Sequence, residues 1–121
     1  MKVLIVEDSL TIQGCLIDMI EAVGGCRVAG VAASEEEADR LVLALRPDVV
    51  LLDVSLNPGN GFNVLKKLRQ AGLGCRVLIL TGQEIDPLRA TADGYGADGI
   101  FDKGAQLDDV AALLKRWCPQ A

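Results

Sequence analysis

Five polar side chains in this chain stand directly behind apolar runs. Glu7 and Asp8 follow Val3 to Val6, Asp53 follows Val49 to Leu52, Thr81 follows Val77 to Leu80, and Lys103 closes the weaker run Ile100-Phe101-Asp102. Three carboxylates crowded together repel, so they either raise a pKa or hold a hard cation. A donor set made only of oxygens, with room for water, suits Mg²⁺ or Mn²⁺. Each residue also has a plainer use. Asp8 favours the start of a helix through the dipole, Asp53 ends a strand in solvent, Thr81 completes a β-branched run, and Lys103 is a surface charge. Their joint position at one edge of one sheet is what argues for a site.

Composition removes whole classes of chemistry. The 121 residues include no histidine, which excludes Ser-His-Asp and Cys-His catalysis, His-ligated zinc and a phosphohistidine on this chain. Histidine chemistry would have to come from a partner. A net charge of -5 argues against gripping a nucleic-acid backbone. Cys15, Cys26, Cys75 and Cys118 form no C-x-x-C pair and are expected as reduced, mostly buried thiols, which fits a reducing cytosol. Met1 to Val6 runs into Glu7-Asp8 too soon for a signal peptide, and no apolar run approaches the ~20 residues of a membrane span. A soluble, cytoplasmic protein is expected.

Those five positions need a scaffold, and the hydrophobic pattern supplies one. Short continuous apolar runs, at Val3–Val6, Val28–Val31, Val49–Leu52 and Val77–Leu80 with a weaker one at Ile100-Phe101, read as strands covered on both faces. Between them Ile12, Leu16, Met19, Ile20 and Val23 share a helical stripe, as do Ala38, Leu41, Val42 and Leu45, and Val110, Leu113, Leu114 and Trp117. Ser34 with Glu37 reads as a capping box, Gly24-Gly25 as a helix end, Pro47 as a break, Asn57 to Gly61 as a turn, and Pro87 as the opening of a short fourth helix. Five β-α units with short connections call for an α/β, doubly wound parallel sheet in a single domain, 1–121. In such sheets ligands bind at the carboxyl ends of the strands, where the five polar residues fall.

Other sites of this architecture lack their motifs. Glu7 to Ile12 is not G-x-G-x-x-G, no P-loop is present, and a haloacid-dehalogenase-type phosphatase needs a second Asp where Ser55 stands.

Across its whole length the chain resembles the receiver domain of bacterial two-component response regulators. The resemblance is carried by Leu4-Ile5-Val6-Glu7-Asp8-Ser9, Pro47 to Asp53 with Gly61 beyond it, Leu78-Ile79-Leu80-Thr81-Gly82, and Gly96 to Lys103. It implies a five-stranded sheet of order 2-1-3-4-5. It implies Asp53 as phospho-acceptor, Mg²⁺ held by Glu7, Asp8 and Asp53 with the backbone of Ser55, and Thr81 and Lys103 on the phosphoryl group. Thr81 and Phe101 would form the switch, Gly82 would leave phosphate access open, and Ser55 and Gln83 would flank the site and tune hydrolysis. The implied donor is a histidine kinase or histidine phosphotransfer protein. The implied output is a protein target on the face of helix 4, strand 5 and helix 5, with Tyr95, Phe101 and Lys115 as contacts. No separate substrate is turned over, nucleic acid and membrane are not partners, and the chain, read as complete, signals by contact. A scaffold that keeps the fold without phosphorylation is the competing class, and the intact acidic set argues against it. Two departures stand out: Gly104 follows Lys103 where the family usually has Pro, and Asn57-Pro58 puts Pro one residue later than the family does.

Overall fold

The structure is a computed structural model that describes residues 1–56 and 59–118. Asn57 and Pro58, the residues of the second departure, lie outside the described residues. Five strands alternate with five helices: β1 (Lys2–Val6), α1 (Leu10–Ala22), β2 (Arg27–Ala32), α2 (Glu35–Leu45), β3 (Val49–Asp53), α3 (Gly61–Gln70), β4 (Arg76–Thr81), α4 (Asp86–Gly94), β5 (Gly99–Asp102) and α5 (Leu107–Trp117). The strands form one sheet, every pair parallel, in the order β2-β1-β3-β4-β5.

Alternation along each strand builds two cores. Leu4, Val6, Val50, Leu52, Val77 and Ile79 face a layer completed by Ala38 and Val42 of α2 and by Val64, Leu65 and Leu68 of α3. Val3, Ile5, Val49, Leu51, Leu78 and Leu80 face the other, completed by Leu16 and Ile20 of α1 and Val110 and Leu114 of α5. Side chains alternate faces with period two, so an unbroken apolar run is what a strand buried on both sides requires. Burying each such side chain contributes about 1.5–3 kcal/mol. β2 is an edge strand and is only half-buried over most of its length.

Local chemistry sets the ends of the helices. The Ser9 side chain accepts from Ile12 N–H and caps α1, and the Ser34 hydroxyl accepts from Glu37 N–H and caps α2. Glu37 reaches back to accept from Ala33 N–H at 2.7 Å, one residue beyond the Ser34 N–H of the reciprocal contact a capping box predicts. α1 stops at Ala22 with Val23 as its cap, before the Gly24-Gly25 pair. α2 ends on Arg46 in the left-handed region, φ 48°, and Pro47 then prevents continuation. Pro87 does open α4, which buries only Ala92.

The cysteines depart from expectation. Cys118 is buried, Cys26 and Cys75 are half-buried, and Cys15 is exposed on α1. The stripe that packs α1 is Leu16 and Ile20; Cys15, one position before Leu16, falls on the solvent side of the same turn.

Candidate functional site

Strand register sets the site. Val6 pairs with Leu52, Asp53 with Leu80, and Thr81 with Asp102, so Glu7, Asp53, Thr81 and Lys103 come level along one edge. The last backbone bonds of the ladder continue this alignment: Glu7 N–H donates to Ala32, Val54 N–H to Leu80, and Lys103 N–H to Thr81.

Glu7, Asp53 and Thr81 make up the buried polar set among the described residues, at 1%, 3% and 1% exposure. Carboxylate oxygens of Glu7, Asp8 and Asp53 all lie within 4.8 Å of one another, with Asp8 half-buried at the rim. Into this group Lys103 donates twice, from Nζ to Glu7 Oε1 at 3.1 Å and to Asp53 Oδ2 at 3.2 Å. The second oxygen of each acid accepts a backbone N–H: Ser9 to Glu7 Oε2 at 3.0 Å, and Ser55 to Asp53 Oδ1 at 3.2 Å. Buried acids remain ionised only when they are paired and hydrogen-bonded in this way.

Burial pushes the Glu7 carboxyl above its ordinary range, and the neighbouring Asp53 charge adds to that; Ser9 N–H and Lys103 oppose it without cancelling it. For Lys103 burial acts downward, but hydrogen bonds and charge from Glu7 and Asp53 prevail and hold the ammonium above its ordinary range. Two buried acids and a third at the rim share one lysine, so negative charge remains in excess.

The neighbouring loops close around the acids. The Gln83 amide donates to Ser55 Oγ at 2.9 Å and Gln83 N–H donates to Thr81 Oγ1 at 2.9 Å, so one residue ties the β3–α3 loop to the β4–α4 loop. Gly82 is exposed, and a side chain there would meet only the Lys103 stem, 3.5 Å away. Gly61 has no such freedom: its N–H donates to Val54 O at 2.8 Å and a Cβ would run into the Asp53 carbonyl oxygen. The loop after β5 is organised by Asp102, whose Oδ1 accepts from Gly104 N–H at 2.7 Å and Ala105 N–H at 2.9 Å. A proline after Lys103 would have no N–H for the first of these bonds.

The residues expected at an output face have these surroundings. Phe101 is half-buried against the core under α1 and α5. The Tyr95 ring stands 6.3 Å from Phe62 of α3. Lys115 lines a cavity of about 600 Å³ with Met19 and Val23 beside α1.

Sequence reasoning missed three supporting residues. Gln13 donates from its amide to Glu7 O at 2.6 Å, and a lone Gln inside a helical stripe carries no signal for this. Ser9 caps α1 and donates its N–H to Glu7, roles that the reading of Asp8 as the helix-start residue passed over. Gly99 leaves the room that the Phe101 ring occupies, since a Cβ there would sit 2.9 Å from Phe101 Cε2.

Comparison with known proteins agrees with this geometry. The family model for the response regulator receiver domain matches residues 3–115. Response regulator GacA of Pseudomonas aeruginosa is 30% identical over 115 residues, covering 95% of this chain and 54% of that protein. The DNA-binding transcriptional activator DevR/DosR of Mycobacterium tuberculosis is 35% identical over 114 residues, covering 94% and 52%. The chain thus spans about half the length of the curated relatives it matches. Among solved structures, the response regulator domain of Thermotoga maritima CheB superposes with a TM-score of 0.84 at 26% identity, over 98% of this chain and 95% of that one. Vibrio cholerae chemotaxis protein CheY4 gives 0.84 at 26% identity, over 95% and 96%.

Proposed function

The chain belongs to the response regulator receiver domain family of two-component signalling, and from that premise we propose that it accepts a phosphoryl group on Asp53 from a partner's phosphohistidine. The observation that carries this reading is the Lys103 ammonium between two buried acids, 3.1 Å from Glu7 and 3.2 Å from Asp53, with the Asp8 carboxylate beside them.

The donor set fits a hard divalent cation, because the clustered groups offer oxygen alone and outnumber the one lysine. Glu7, Asp8 and Asp53, with the backbone carbonyl of Ser55, would hold Mg²⁺. Bound there, it supplies positive charge that offsets the negative charge spread over a phosphoryl group in transfer.

An Asp53 carboxylate oxygen forms the new bond to phosphorus while the bond from phosphorus to the donor's imidazole nitrogen breaks, and that nitrogen keeps the electron pair. Lys103 stays paired to Asp53 and meets the incoming charge. Burial of Asp53 limits competition from water, and Ser55 N–H on Oδ1 with Lys103 on Oδ2 holds the carboxylate in one orientation. Water later hydrolyses the acyl phosphate, with Ser55 and Gln83 flanking the approach. Exposed Gly82 leaves that approach bare.

Thr81 provides the switch. Its hydroxyl accepts from Gln83 N–H and still has a proton to donate to a phosphoryl oxygen. Moving toward that oxygen biases β5 and Phe101, a population shift that a protein target on α4, β5 and α5 reads. The reading makes the protein a cytoplasmic switch with no separate substrate to turn over. Among the described residues no helix is long and apolar enough to cross a membrane.

Intact mass after incubation with acetyl phosphate and Mg²⁺ tests the proposal. One phosphoryl adduct is expected, lost in Asp53→Ala and with EDTA. Absence of an adduct in folded protein that binds Mg²⁺ and also fails to bind beryllofluoride would overturn it in favour of a scaffold.

A further inference from the structure

The sheet's other edge holds a pair of sulfurs that the phosphoryl site does not use. Cys26 lies in the turn between α1 and β2, and Cys118 caps α5; neither sits inside a helix or strand. Cys118 Sγ donates to Gly24 O at 3.2 Å, which places the end of α5 on that turn. Cys26 follows Gly24 by two residues in that turn, where its own N–H donates to Val23 O at 3.2 Å, so the Cys118 sulfur is set against the loop that carries Cys26. The turn is held still from the other side, where the Met1 ammonium donates to Gly25 O at 2.6 Å and Arg27 N–H donates to Met1 O at 3.0 Å.

The geometry points to a reversible redox site: Cys26 and Cys118, brought together by the Gly24–Cys118 contact, form an intramolecular disulfide that fastens the end of α5 to the α1–β2 turn. A disulfide needs sulfurs brought close and backbones that tolerate a small adjustment; the Cys118 sulfur already lies on the turn that carries Cys26, and both residues stand outside regular elements.

The oxidant is a low-molecular-weight disulfide such as oxidised glutathione. The half-buried Cys26 thiolate attacks one of its sulfurs, the old S–S bond breaks and one reduced thiol leaves. Cys118, nearly enclosed, then displaces the second as its own proton departs. Two protein thiols and one small disulfide become one protein disulfide and two small thiols. Burial and the neighbouring sulfur keep the Cys26 thiol above its ordinary pKa, so the first step quickens as pH rises. In a reducing compartment such a bond is transient and sensing. Nothing in it depends on the phosphoryl chemistry.

The test uses the full chain in a glutathione redox buffer, quenched in acid, alkylated under denaturing conditions and mapped by peptide mass. Peptides containing Cys26 and Cys118 are expected joined, short of two hydrogen atoms and released by a dithiol, whatever adduct the exposed Cys15 carries. Cys118→Ser should halt Cys26 as its glutathione adduct. Recovery of Cys26 as that adduct in the wild-type protein, or a joined pair seen only after unfolding in urea, would overturn the inference, and the wild-type mapping decides it even if the variant fails to fold.

Discussion

Two lysines in this molecule each bridge two carboxylates. Lys103 reaches Glu7 at 3.1 Å and Asp53 at 3.2 Å, while Lys67 of α3 reaches Glu35 at 2.9 Å and Asp39 at 2.8 Å. The distances are nearly the same; the surroundings are not. The acids around Lys103 are 1% and 3% exposed, and those around Lys67 are 19% and 32% exposed. Pairing wins at the surface, where the hydrogen bond from Lys67 leads several contacts that hold Glu35 below its ordinary pKa. Burial wins at the strand edge, where Glu7 is held above its own despite Lys103. One arrangement is therefore at rest, and the other is short of positive charge and ready to take more. The first joins α2 to α3; the second is the proposed phosphoryl site.

The largest expected effect separates the two lysines by rate. Lys103→Ala should slow adduct formation from acetyl phosphate by about 10²–10³-fold, the usual cost of removing one preorganised charge at a reacting centre. Lys67→Ala should leave that rate unchanged. Time-resolved intact mass measures both, and equal slowing would erase the distinction between a functional and a structural triad.

Added cation should sharpen the difference next. Mg²⁺ at roughly 100 times its Kd should raise the unfolding free energy by about 2.7 kcal/mol through binding to the native state alone. Urea melts with and without the ion measure this. Asp8→Asn and Glu7→Gln should shrink the gain, and Glu35→Gln should leave it intact. A gain unaffected by either site variant would put the ion elsewhere.

The strand edge was legible in sequence because each of its residues ends an apolar run, and a doubly wound sheet sends every run's end to the same side. The elements and the positions of Glu7, Asp53, Thr81 and Lys103 follow from that one regularity, while the strand order came with the family resemblance. Contacts across loops do not. That Gln83 would lean on Ser55, or Gln13 on the Glu7 carbonyl, depends on side-chain directions that no period encodes. The approach of the Cys118 sulfur to the turn that carries Cys26 was equally hidden.

Acid should act on the two triads with opposite sign. Glu7 has a folded pKa above its unfolded value, so its stabilising contribution is full below the unfolded value, about 4.3, and is lost as pH rises through the folded one. Glu35 has a folded pKa below its unfolded value, so its contribution is present above about 4.3 and is lost as pH falls through the folded one. In metal-free urea melts, wild type should lose stability relative to Glu7→Gln as pH rises through the mildly acidic range. The deficit of Glu35→Gln relative to wild type should fade toward the acid end. Parallel curves for the two variants would mean that burial does not distinguish the sites.

Salt gives the smallest and most selective contrast. The Lys67 triad is open to solvent, so its attraction is screened once the Debye length falls to about 3 Å near 1 M salt. Lys67→Ala should therefore lower the urea midpoint slightly at low ionic strength and hardly at all at high. The Lys103 pairs lie behind the ends of β1 and β3 and are screened far less, so the midpoint shift from Lys103→Met should persist in the same high-salt series. Measured without divalent ions, that shift has a defined origin: removing the ammonium leaves Glu7 and Asp53 buried with only backbone N–H partners, and an uncompensated buried charge is costly at any ionic strength. A Lys103 effect that vanished with salt would place its two acids in contact with bulk water and remove the basis for treating them differently from Glu35 and Asp39.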